Sequence, residues 1–79
     1  MTLHRPRHPM PKDVEQALKH SGVAEEYQLR PAYQQNDYIG WITRAKEEPT
    51  RKKRIDQMLY ELKKGGLYMG MKHPASSQH

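Results

Sequence analysis

The residues in this 79-residue chain best suited to chemistry are cations. Between Arg44 and Lys64 there are eight: Arg44, Lys46, Arg51, Lys52, Lys53, Arg54, Lys63 and Lys64. Four acids share that span, Glu47, Glu48, Asp56 and Glu61, so eight minus four leaves a local charge of +4. The stretch from Asp13 to Thr43 is slightly acidic by contrast. A basic cluster of this kind suits contact with anions or nucleic-acid phosphates, and Arg44, Lys46, Arg51, Lys52, Lys53 and Arg54 are the candidate contacts. Lysine dominates, which favours phosphate contact over reading of base edges. Arg51 to Arg54 wrap around one helical turn. Arg51 and Arg54 therefore share a side, while Lys52 and Lys53 diverge from it. The plainer use of the same residues is a solvated face, with Arg51 and Arg54 paired to nearby carboxylates.

Other chemistry is thin. His4 and His8 have i, i+4 spacing, but Pro6 and Pro9 argue against the helix that would align them. His20, His73 and His79 are scattered, so no metal site is expected. Asp37, Glu47, Glu48, Asp56 and Glu61 belong mostly on polar faces, with no sign of a buried carboxylate pair. Ser21, Ser76 and Ser77 lack a histidine and acid framework. Neither a phosphate loop nor a dinucleotide fingerprint is present. No catalytic residue and no cofactor is expected, and the chain reads as a non-enzyme.

Composition sets what can position these residues. Hydrophobic residues are 34% of the chain, the formal charge is +5, and cysteine is absent. The length allows one small domain and excludes large α/β enzyme folds. The missing cysteines exclude a disulfide scaffold and a thiolate zinc site. No apolar run is long enough for a transmembrane segment, and the N-terminal MTLHRPRHPMP lacks the apolar core of a secretory signal. A cytoplasmic location is expected.

The patterning predicts an all-α fold, a small bundle of three to four helices with flexible termini. Residues 1–10 read as a flexible basic arm, 11–66 as the helical domain and 67–79 as a C-terminal tail. The first helix starts at Pro11, carries Val14, Ala17 and Leu18 on one face, and ends at Gly22. A short second helix over 24–29 offers Tyr27 and Leu29 for burial. The third runs from about Pro31 to Ala45 or Lys46, with Tyr38, Trp41, Ile42 and Ala45 as its stripe. Gly40 weakens it unless close packing compensates. The fourth begins at Pro49, repeats Ile55, Met58, Leu59 and Leu62, and stops at Gly65-Gly66. No segment alternates long enough to argue a strand. The apolar Leu67 to Met71 either folds back on its own bundle or supports weak self-association with a second chain.

The stretch DYIGWITRAKEEPTRKKRIDQMLYELKKGG, with PKDVEQAL upstream, resembles the bacteriocin-protection family, also called YdeI/OmpD-associated proteins. The positions that carry the resemblance are Tyr38, Trp41, Ile42, Ala45, Lys46, Thr50, Arg51, Arg54, Ile55, Leu62 and Gly65. Helical spacing makes them mainly structural: Tyr38 and Trp41 read as core before ligand stacking. The resemblance implies a small helical bacterial protein associated with bacteriocin tolerance or envelope stress. It implies no reaction and no catalytic residues. The expected mode of action is binding to a macromolecular partner whose identity is unknown, a protein ahead of nucleic acid. The alternative is a small basic nucleic-acid-binding protein that contacts phosphates through Arg44–Lys64.

Overall fold

A computed structural model describes residues 8–72, which form four α-helices and a short hairpin. Helix α1 spans Lys12–Ser21. Pro11 is its N-cap in extended backbone rather than its first helical residue, so the helix starts one position later than expected. Asp13 and Glu15 occupy the first turn and Lys19 and His20 the last, each suited to its end of the helix dipole. Gly22 closes the helix in the left-handed region at φ 71°, and the Val23 N–H reaches back to the Leu18 carbonyl at 3.1 Å.

Helix α2 covers Ala24–Leu29. Tyr27 is buried, but Leu29 is 64% exposed, against expectation. At about 100° per residue, two positions on from Tyr27 lie on the opposite side of the helix. The inward place falls to Arg30, only 3% exposed.

Helix α3 covers Ala32–Thr43, with Pro31 as its N-cap. Tyr38 and Ile42 are fully buried and Ala45, in the turn that follows, is buried as well. Trp41 packs against the core without being fully covered, and Ile39 fills a place that the expected stripe omitted. Helix α4, Glu48–Lys64, starts one residue before the expected Pro49, which lies in its first turn, and ends at Gly65, as the sequence suggests. It buries Ile55, Met58 and Leu62, with Leu59 partly buried beside them. Val14 and Leu18 of α1, together with Val23 and Tyr27, complete one core shared by all four helices. The fold is an all-α bundle.

Beyond α4, Leu67–Tyr68 (β1) and Met71–Lys72 (β2) pair antiparallel, Leu67 with Lys72 and Tyr68 with Met71. Two-residue strands leave no alternation to read in a sequence. The intervening Met69 and Gly70 have φ of 53° and 81°, the positive values that a two-residue turn of the I′ type requires. The hairpin lies on its own bundle, where Tyr68 and Met69 pack against the core. Of the expected arm over 1–10 and tail over 67–79, residues 1–7 and 73–79 lie outside the described residues; 8–10 carry no helix or strand, and 67–72 form the hairpin instead of a tail.

Candidate functional site

Two regions hold the charged groups. The first is the outer surface around α4. Asp13 on α1 and Arg51 on α4 form a two-pronged ion pair, Nε to Oδ2 at 2.8 Å and Nη2 to Oδ1 at 3.1 Å. The guanidinium beside Asp13 holds that carboxyl below its ordinary value. The expectation that Arg54 pairs with a carboxylate is replaced by a different contact. Its Nη1 donates to the Trp41 carbonyl at 2.6 Å, and its guanidinium lies 5.3 Å from the centre of the Trp41 ring. Both arginines thus tie α4 to neighbouring elements. Lys52 and Lys53 are exposed and, with Pro49, Thr50 and Asp56, line a shallow depression. Arg44 and Lys46 are exposed in and after the C-terminal turn of α3. The six candidate cations therefore divide into two that brace the fold and four that face solvent. Further along α4, Lys63 and Lys64 are exposed beside Tyr60, itself 55% exposed, with Lys64 about one turn on over its ring. The i, i+4 spacing of Tyr60 and Lys64 is the sequence signal of this pair, which lies off the apolar stripe of α4.

The second region is a polar cluster inside the bundle. Glu61, expected on a polar face, is only 2% exposed. Its carboxylate is the meeting point of three elements. Oε1 accepts from the Tyr38 hydroxyl at 2.5 Å and from the Met69 N–H at 2.9 Å. Oε2 accepts from the Gly70 N–H at 2.6 Å and from Gln57 Nε2 at 3.1 Å. Arg30 lies nearby with its guanidinium on Leu67 O at 2.7 Å, Glu61 O at 3.0 Å and Gln34 Oε1 at 3.2 Å. A second carboxylate, Asp37, accepts from the Tyr68 hydroxyl at 2.5 Å. Tyr68 sets its ring edge-to-face against both Tyr38 and Tyr33. Burial, and then the bond to Glu61, push the Tyr38 hydroxyl above its ordinary range.

This arrangement fixes a hairpin by its backbone: one carbonyl on Arg30, two successive N–H groups on Glu61. Turn N–H groups in the left-handed region make a concave donor pair for an anion, and here a side chain of the same molecule fills it. Among the described residues, no group of three or more His, Asp or Glu side chains is placed to hold a metal ion. His4, His73 and His79 lie outside the described residues, and no described helix is long and apolar enough to cross a membrane.

Trp41 and Arg54 meet in their ring–guanidinium contact, and Gly65 ends α4. The family model described as bacteriocin-protection, YdeI or OmpD-associated matches residues 8–65. The chain belongs to this family. No curated protein and no solved structure matches it. In this chain the motif residues have traceable work. Tyr38, Ile42, Ala45, Ile55 and Leu62 are buried, Arg54 stacks on Trp41, Arg51 fastens α1, and Gly65 ends α4 at φ 68°. Thr50 and Lys46 are exposed. The hairpin follows the matched segment, while Arg30, Asp37, Tyr38 and Glu61, which hold it, lie within it.

Proposed function

We propose that this member of the bacteriocin-protection family is a non-enzymatic, cytoplasmic binding module that contributes to bacteriocin tolerance or envelope stress. It acts by docking a protein partner on the exposed face of α4. The observation that carries this reading is the division among the basic residues. Arg51 and Arg54 are consumed in holding the bundle together, whereas Lys52 and Lys53 face solvent near the start of α4, and Lys63 and Lys64 face it beside the exposed Tyr60 about two turns on. Tyrosine is among the residues enriched at protein interfaces, where charged groups belong to the rim around the buried centre. A lysine face suits an acidic partner.

The test is a bacteriocin challenge of cells that lack the gene. Wild-type protein is expected to restore survival. The charge-reversed pair Lys52→Glu and Lys53→Glu is expected not to, although its helical content is unchanged. Full restoration by that variant would remove the face from the function. Titration of labelled duplex and single-stranded nucleic acid at two salt concentrations addresses the nucleic-acid alternative. Tight binding with a steep salt slope that shrinks in the same variant would replace the protein partner with phosphates.

A further inference from the structure

We propose that the exposed face of α4 is a lane for one kind of partner, an amphipathic acidic helix. That helix carries carboxylates along both flanks of its contact face. On its centre line it has an apolar residue and, four positions away, a basic one. The inference rests on the protein-docking reading above and names the partner's chemistry.

The lane follows from the spacing of six side chains. Successive helical positions turn by about 100°, so residues eleven apart return to within about 20° of one line, about 16 Å along the axis. Lys53 and Lys64 stand in this relation and make one rail. Lys52 and Lys63 stand in it too and make the other rail, about 100° round the helix. Asp56 and Tyr60 lie between the rails, one turn apart. All six side chains are exposed, and Lys52, Lys53 and Asp56 border the shallow depression at the start of the helix.

Each part of the lane asks for its complement. The rails call for carboxylates on both sides, Asp56 for a cation, and Tyr60 for an apolar cover. A helix can present all of these on one face, because its central positions are flanked on either side by charged ones. An extended strand cannot, since its side chains alternate between two opposite faces and give each face a single row. A nucleic-acid backbone supplies anions for the rails but sets its phosphates against the Asp56 carboxylate as well. Asp56 therefore favours a partner of mixed charge over a plain polyanion.

The experiment titrates the full chain, labelled for NMR, with two synthetic helical peptides of one composition. The matched peptide has glutamates on both flanks and a leucine and a lysine four apart between them. The control has the glutamates moved to the opposite face. The matched peptide is expected to shift the signals of Lys52 to Lys64 and to bind about tenfold more tightly than the control. Tyr60→Ala should remove most of that margin. Asp56→Lys separates docking from bare attraction: it should weaken the matched peptide while strengthening polyglutamate. Equal binding of the two peptides, binding of neither, or a tighter matched complex in Asp56→Lys would overturn the proposal. Duplex DNA that shifts the same signals at lower concentration than the matched peptide would overturn it in favour of phosphates. If the peptides fail while Lys52→Glu with Lys53→Glu still cannot restore survival, the face keeps its function and only this partner is lost. Full survival with that variant removes both.

Discussion

Arg30 and Glu61 are both buried, and the guanidinium of the first binds the main-chain carbonyl of the second at 3.0 Å while four other donors hold the carboxylate. Each carboxylate oxygen therefore accepts twice. In Glu61→Gln one oxygen becomes an NH2 group that faces two donors. We expect a loss of about 1–3 kcal/mol, read as a lower urea midpoint. Faster hydrogen exchange at Met69 and Gly70 should accompany it. Asp56→Asn, on the exposed side of the same helix, should stay within about 0.5 kcal/mol of wild type.

The Asp13–Arg51 pair links the first turns of α1 and α4 in partial solvent. A double-mutant cycle with Asp13→Asn and Arg51→Gln should give a coupling of about 0.2–1 kcal/mol that shrinks as salt is added. The carboxyl is lowered from its ordinary 3.8, first through the Arg51 hydrogen bond. Its contribution is therefore present above that value and lost as pH falls through the lower folded-state value. The difference in stability between wild type and Asp13→Asn should be flat from neutral pH to about 5 and vanish in stronger acid. A difference that grew on acidification would contradict the pairing.

Tyr27 and Tyr38 should resist ionisation. Burial pushes the Tyr27 hydroxyl up to about 12, and burial with the Glu61 bond pushes Tyr38 higher still. Folded-state values above the unfolded value near 10 mean that this stability is whole below about pH 10 and is lost as pH rises through the folded-state values. Tyrosinate absorbance in alkali should thus show a last portion that appears together with loss of helical circular dichroism. Tyr38→Phe should reduce that portion.

Gly40 sits in α3 beneath the His8 ring. A Cβ placed there would come within 2.8 Å of His8 Nε2 and 3.0 Å of Cδ2. The close packing that could justify a mid-helix glycine is present, but the group that must move is the end of a side chain. Gly40→Ala should displace the imidazole. The helix-propensity gain of up to about 1 kcal/mol should outweigh that contact. Thermal unfolding and the His8 ring shifts would check both halves. A large destabilisation would mean that residues near His8 hold their place more firmly than one contact implies.

The helices were legible because their stripes and stops are local. Pro49, the Ile55–Leu62 repeat and Gly65 mark α4 without reference to anything else. The family motif was legible for the same reason, since its residues sit on consecutive turns. The polar cluster was not. A glutamate at a helix position reads as solvated unless the donors that enclose it are known, and three of the four on Glu61 come from α3 and from a turn eight and nine residues later. Leu29 and Arg30 reversed roles because the helical period from Tyr27 turns position 29 outward and position 30 inward, and a guanidinium with three acceptors can take that inward site. The basic residues were found, but only the structure separates the two arginines that brace the bundle from the lysines that do not.

The contacts that seat the hairpin have a bearing on how the chain folds. Arg30 reaches Glu61 across 31 residues and Leu67 across 37, whereas each helix closes on neighbours within a few positions. Long loops close late, after local helices have formed. The seating of Leu67 to Lys72 therefore belongs to the native side of the folding barrier. Weakening it should quicken unfolding while leaving the folding rate almost unchanged. On this ordering the hairpin is expected to come away early when the domain is pulled.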